Sequence, residues 1–316
     1  MPVTVVGSIA FDAVKTPFGE RERMLGGSAV HFALAASFFD DVHVVGPVGD
    51  DFGPEDYGVL EARGIDTRDI EHVPGGKTFF WSGEYGWDFN DRKTLDTQLN
   101  VFADFQPKLS EASRASEVLF LANIQPDLQR DVRAQCEGAR FVAMDSMNFW
   151  IEGTRDSLIE TIRVVDCLML NDAELRQLTE EPNLVRAARR VFEWGPSVVV
   201  AKQGEYGAAL LTREGFFALP AFPLETVIDP TGAGDSFAGG FMGYLAAHSQ
   251  PQPDHELLRR AMAYGTALAS YNVEDFGVER VARLGVAEIP ERVAELARIT
   301  HFSDSGIELR EPTPRG

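Results

Sequence analysis

Short, nearly unbroken apolar runs recur along the chain with helix-like stretches between them, and no other feature narrows the fold so far. Residues 3–6, 42–46, 118–122, 141–145, 167–171 and 197–201 are short and rich in Val, Leu, Phe and Met, with little alternation of polar and apolar positions. A strand of that kind must be covered on both faces, as in a parallel sheet held between layers of helix. The first unit is explicit. The run 3–6 ends at Gly7-Ser8, Gly26-Gly27 opens the apolar stretch 28–39, and the run 42–46 follows directly. Strand, helix and strand give a βαβ crossover, so the expected fold class is α/β, with a parallel sheet as the middle of three layers. With 316 residues, the chain has room for two domains or for one large α/β domain carrying an insertion.

Two stretches break the rhythm. Residues 12–24 are polar and turn-rich, and residues 74–106 contain two strand-like pieces, 77–85 and 93–99, without a helical period. Together they are expected to form a small β-sheet lid inserted in the α/β body. Its aromatic side chains (Phe79, Phe80, Trp81, Tyr85, Trp87 and Phe89) have three roles open to them: packing under the lid, lining a site, or pairing two lids in a homodimer. Charge then limits the partners. Against 49 Asp and Glu stand 29 Lys and Arg, a formal charge of −20, and only five of the basic residues are Lys. Nucleic acid and anionic membrane surfaces both require a basic face, so neither is expected as a partner. No apolar run approaches the roughly 20 residues of a membrane span. The beginning, Met1 to Gly7, lacks the basic segment of a signal peptide and reads as a strand. Cys136 and Cys167 are too few for a disulfide framework. The reading is a soluble, cytoplasmic protein.

The segment richest in chemistry is Asp229-Pro230-Thr231-Gly232-Ala233-Gly234-Asp235-Ser236-Phe237-Ala238-Gly239-Gly240-Phe241. A small-residue loop runs straight into an apolar helix expected to start near Asp235. Helix N-termini present unpaired N–H groups and the positive end of the dipole, so they attract anions. Glycines let those amides approach phosphate oxygens closely. A carboxylate at the same place repels phosphate unless it has a task there, such as taking a proton from an attacking hydroxyl. The other reading of Asp235 is a helix cap. Gly-Ala-Gly-Asp alone leaves both open.

The whole run closely resembles the C-terminal signature of the ribokinase-like (PfkB) carbohydrate kinase family, and Gly26-Gly27 with its helix resembles the N-terminal one. The resemblance implies one ribokinase-like domain over residues 1–316, with an ATP- and Mg²⁺-dependent phosphotransferase activity. Asp235 then corresponds to the catalytic base, and the amides of Gly232, Ala233 and Gly234 to the anion hole. Asn171-Asp172-Ala173-Glu174 reads by itself as a capping box. In the family, the Asn and Glu orient Mg²⁺ and its waters, which puts Glu174 beside the metal through water. Lys202 and the turn Gly204 to Gly207 match the nucleotide-phosphate loop, and Thr231 lies with them. Asn272 is the polar residue of a segment that lines the adenine pocket. Asp229 is a candidate ligand for a monovalent cation, K⁺.

On the acceptor side, Asp12, Gly26 and Gly27 match sugar-binding positions, and Asn148 is a further candidate at the end of the 141–145 run. The chain departs from its relatives at His31, where sugar kinases usually carry Asn, so their sugar specificities do not carry over. The leading expectation is a kinase for a small sugar or polyol. A nucleoside kinase is the alternative, and a nucleotide-binding sensor without catalysis is the reading from another class. A dinucleotide oxidoreductase is excluded, because Gly-Ser-Ile-Ala-Phe-Asp follows the first run where Gly-x-Gly-x-x-Gly would be required.

Overall fold

Every apolar run becomes a strand. The computed structural model describes residues 1–89, 92–248, 250, 252–303 and 306, so residues 90–91 of the expected lid lie outside the described residues. Within the described residues the strands are β1 (Val3–Val6), β2 (Ala10–Thr16), β3 (Gly19–Gly26), β4 (Val42–Val48), β5 (Asp66–His72), β6 (Phe79–Tyr85), β7 (Arg92–Gln98), β8 (Val118–Leu121), β9 (Phe141–Asp145), β10 (Cys167–Asn171), β11 (Val198–Lys202), β12 (Ala208–Thr212) and β13 (Phe216–Leu219). The main sheet has the order β13-β12-β11-β10-β9-β8-β1-β4-β5. It is parallel from β5 to β11 and ends in the antiparallel pair β12 and β13.

Side chains alternate across this sheet into two cores. Val3, Val5, Phe120, Ala143, Met169 and Val200 face one set of helices. Val6, Leu119, Leu121, Met144, Leu170 and Ala201 face the other. Period-two alternation with both faces apolar is the physical content of the unbroken runs. On the first face lies the helix Ser28–Ala36, buried along its whole length, with Phe32 stacked on Phe120 at 4.4 Å between ring centres. The helices Ala233–Ala246 and His255–Asn272 pack beside it. No helix among the described residues is long and apolar enough to cross a membrane.

The chain runs outward from β1 in both directions, to β4 and β5 on one side and to β8 through β11 on the other. Such a reversal leaves a crevice at the carboxyl ends of the strands. The polar strand ends Asp145, Asn171 and Lys202 emerge on that edge, with Asn171 and Lys202 in register. Edge strands β5 and β13 were outside the sequence reading. The first is mostly polar, with only Ile70 buried, so it carries no apolar-run signal. Lys202 likewise sits on an interior strand, between β10 and β12.

The two stretches without helical rhythm form a second, four-stranded sheet, β3-β2-β6-β7. Its central pair, β2 and β6, is parallel and the outer pairs are antiparallel. The aromatic residues divide among roles. Phe79 packs on Phe102, Tyr85 is buried with Val14 and Phe276, and Trp87 is exposed and meets Phe18 edge-on.

Candidate active site

The loop before the helix Ala233–Ala246 is held from several sides. Asp229 is fully buried, and its carboxylate oxygens accept the N–H groups of Thr231 and Gly277, each at 2.9 Å. Burial raises the Asp229 pKa, and those amides oppose the rise. Both oxygens thereby tie the 229–231 turn to Gly277. Gly232 caps the helix at φ 74°, a left-handed conformation that glycine adopts readily. The helix therefore begins before Asp235, which is its third residue.

This geometry changes the expected anion hole. The Ala233 N–H donates to the Pro230 carbonyl at 3.2 Å and closes a turn. The N–H groups of Gly232 and Gly234 have no hydrogen-bond partner among the described residues. Two amides at a helix N-terminus, rather than three, are free for an anion.

Lys202 reaches the same place from β11. Its ammonium pairs with Asp145 at 2.7 Å, and a β-carbon on Gly234 would lie 3.0 Å from it. Burial works against the lysine charge, but Asp145, Asp235 and Glu174 outweigh it and raise its pKa. The Asp235 pKa is raised to about 7, mainly by burial and then by Asp145, against Lys202 and Arg92. Glu174 is raised to about 7 for the same reasons, burial first and Asp145 second.

The capping box is present: the Asn171 side-chain oxygen Oδ1 accepts from the Glu174 N–H at 2.7 Å, and the Glu174 carboxylate from the Asn171 N–H at 2.9 Å. Three carboxyl groups thus surround one ammonium. No group of three or more residues among those described forms a ready-made metal cage. Mg²⁺ keeps several waters and takes one or two protein carboxylates beside substrate phosphates. The surplus of negative charge around Lys202, from Asp145, Asp235 and Glu174, is compatible with that mode.

Asp12, buried on β2, faces the cleft from the small sheet. A β-carbon on Gly26 would collide with its carboxylate, so only glycine fits there. The Gly27 N–H bonds to Asp12, but burial and the charges of Asp229 and Asp235 raise its pKa to about 7. Gly204 and Gly207 shape the β11–β12 turn at positive φ. Asn148 opens a short helix three residues after Asp145 and is exposed, outside this cluster.

Two of the expected contact residues are enclosed by protein. Asn272, expected at adenine, is fully enclosed, and its side chain bonds to His31, Ser236 and the Thr231 carbonyl. His31, expected at the acceptor, is enclosed with it against Gly232. Both lie beneath the loop. Asp145 and Arg92 were missed, and Tyr85 was named only among the aromatic residues that could line a site. Asp145 ends an apolar strand at the carboxyl edge, a signal the sequence does contain. Tyr85 accepts a hydrogen bond from the Thr231 hydroxyl at 3.3 Å, and Arg92 lies opposite Tyr85 on β7. Neither of these two has a local sequence signature.

A free helix N-terminus, a neighbouring carboxyl group and a half-buried lysine are the parts of a phosphoryl-transfer site. A family model described as pfkB family carbohydrate kinase matches residues 3–282. The chain belongs to this family. Among pfkB-related proteins, the cytidine kinase of Thermococcus kodakarensis is 29% identical over 266 residues, which span 82% of this chain and 92% of that protein. Among solved structures, the nucleoside kinase of Methanocaldococcus jannaschii matches with a TM-score of 0.75 at 20% identity, covering 93% of this chain and 98% of that one. A putative ribokinase II from E. coli, solved with ATP and Mg²⁺, matches with a TM-score of 0.76 at 20% identity, over 93% and 99% of the two chains. These structural likenesses establish the ribokinase-like fold, and the family makes the chain a kinase of sugars or nucleosides.

Proposed function

We propose that this pfkB-family protein transfers the γ-phosphoryl group of ATP to a primary hydroxyl on the pentose of a nucleoside. The observation that carries the transfer reading is Asp235, whose pKa of about 7 stands beside the Gly232 and Gly234 amides and Lys202. Asp235 takes the proton from the acceptor hydroxyl. The oxygen bonds to the γ-phosphorus, the bond to the bridging oxygen breaks, and ADP leaves with the electron pair. The two amides and the Lys202 ammonium hold the negative charge on the transferring group. Mg²⁺, oriented through water by Glu174, would supply further charge neutralisation between the phosphates.

The nucleoside acceptor is favoured over a free sugar by the cytidine kinase relative, which aligns along most of both chains. The aromatic strand β6, which places Trp81 opposite Asp12 on β2, suits a planar base. ADP release measured against cytidine, other nucleosides, free pentoses, hexoses and polyols tests the assignment. Turnover with a nucleoside at least about tenfold above any free sugar, in kcat/KM, is the expected result. A free sugar or polyol as the preferred acceptor would replace the nucleoside and leave the transfer chemistry standing.

The pKa pattern gives a further expectation. A base whose pKa is raised loses its ionised form as pH falls through that raised value. In the free enzyme, kcat/KM should therefore drop about tenfold per pH unit below about 7 and level off above it. Asp12, Glu174 and Asp235 lie near the same value, so the limb belongs to the cluster and not to one residue. A profile that is flat from about pH 5.5 to 8.5 would remove the poised carboxylate from the mechanism.

A further inference from the structure

Beneath the anion-binding loop, three helices converge on one side-chain amide. Asn272 is the last residue of the helix His255–Asn272, His31 belongs to Ser28–Ala36, and Ser236 to Ala233–Ala246. The hydrogen bonds among them have only one consistent direction. The Thr231 carbonyl can only accept, so Asn272 meets it with its amide nitrogen, at 2.7 Å. The Asn272 oxygen is then left to accept from the Ser236 hydroxyl and from His31 Nδ1, both at 2.9 Å. His31 therefore carries its proton on Nδ1. Its Nε2 is bare, buried and without a partner among the described residues. Burial also pushes the imidazole pKa down to about 4, so the ring stays neutral and serves as neither acid nor base near neutral pH.

What this assembly controls follows from the planarity of the peptide bond. The Thr231 carbonyl and the Gly232 N–H belong to one peptide unit, and in a trans peptide the two point in opposite directions. Pinning the carbonyl from below aims the N–H away from Asn272. Gly232 N–H is one of the two amides left free for the transferring phosphoryl group. The His31 ring packs directly under the Gly232 α-carbon, where any β-carbon would strike it. It forms a floor that stops the loop from sinking.

We propose that Asn272 and His31 are positioning residues: Asn272 aims the Gly232 amide by fixing the Thr231–Gly232 peptide plane, and His31 orients Asn272 and supports the loop. This rests on the phosphoryl-transfer reading and explains why a histidine at this position is compatible with it. His31 acts through its Nδ1 proton and its ring face, without touching the acceptor.

The test compares wild type with Asn272→Ala, His31→Ala, His31→Asn and the Asn272→Ala/His31→Ala double variant in steady-state kinetics, with Asp235→Asn run alongside and each fold checked by thermal melting. An amide that is present but misaimed loses transition-state contact and little ground-state binding. Asn272→Ala should lower kcat about a hundredfold with KM for MgATP within about threefold. His31→Asn restores a donor toward Asn272, so it should recover most of the rate lost in His31→Ala. The double variant should lose less than the two single losses combined, because His31 acts partly through Asn272. Additive losses, or a rise in KM with kcat unchanged, would overturn the proposal. If Asp235→Asn is inactive while Asn272→Ala is fully active, the positioning role fails and the kinase reading stands. If Asn272→Ala loses kcat as described and Asp235→Asn does not, the aimed amide is supported and Asp235 is not the base.

Discussion

Asp235→Asn is expected to lower kcat by about a thousandfold or more while MgATP still binds. The substitution is nearly isosteric and keeps the side chain at the third position of the helix Ala233–Ala246. It removes the one property the mechanism uses, a carboxylate that can take a proton. General-base catalysis contributes about 10²- to 10⁴-fold, and a thousandfold loss corresponds to about 4 kcal/mol in the barrier. Nucleotide binding should survive, because the Gly232 and Gly234 amides and the Lys202–Asp145 pair are unchanged. Removing a negative charge beside a polyanion should, if anything, tighten it. Single-turnover kinetics with the preferred acceptor, paired with calorimetric titration of MgATP, separates the two effects. Turnover within about tenfold of wild type would show that another group accepts the proton.

The same residue shows how far the sequence reaches. Resemblance singled out Asp235, Lys202 and Glu174, and the fold gathers them because each stands at a strand end or in the first turn of a helix, at the carboxyl edge where an α/β fold collects polar groups. The chemistry of Asn272 and His31 was visible as residue type, but its direction was not. Both sit on helices buried on several sides, and there a side chain's orientation is decided by how three helices pack, which no single helix encodes. Resemblance assigns them to adenine and acceptor, and packing sets both against the Thr231–Gly232 loop. Ala233 shows the same limit on a smaller scale: its amide closes a turn onto Pro230, a detail of backbone dihedrals and not of residue type. Tyr85 and Arg92 come from the second sheet and reach the site only through the parallel pairing of β2 and β6. Residues paired across so long a crossover leave no local signal.

The acidic composition gains a sharper meaning beside these residues. With a net charge of −20, the chain's overall field opposes a polyanionic nucleotide. Attraction must then be local, and the local positive elements are few. Lys202, one of only five lysines, is half-buried and feels the charges of Asp145, Asp235 and Glu174. Its own charge is largely compensated by Asp145, so it cannot hold a phosphate alone. On the proposed function, much of the remaining pull falls to the backbone at the head of the helix Ala233–Ala246, so the loop's geometry should outweigh any single side chain.

That argument makes Gly232→Ala the second large effect. At φ 74° a β-carbon is strained whatever its surroundings, at roughly 1–2 kcal/mol for an L-residue in the left-handed region. Here it would also be driven into the His31 ring. A ring held by Asn272 on a helix buried on every side has little room to retreat. The loop must move instead, and the Gly232 amide moves with it. Loss of one such donor costs about 10²- to 10³-fold in kcat, so Gly232→Ala should lose at least about a hundredfold. Gly234→Ala supplies the contrast. Its backbone is an ordinary right-handed helix, and the nearest atom to a new β-carbon is the Lys202 ammonium at 3.0 Å, the far end of a flexible side chain. The lysine can yield by a few tenths of an ångström, so that variant should lose less than about tenfold. Measured side by side, with thermal melting to confirm folding, a Gly232→Ala loss no larger than that of Gly234→Ala would mean that the Gly232 amide does not hold the transferring phosphoryl group.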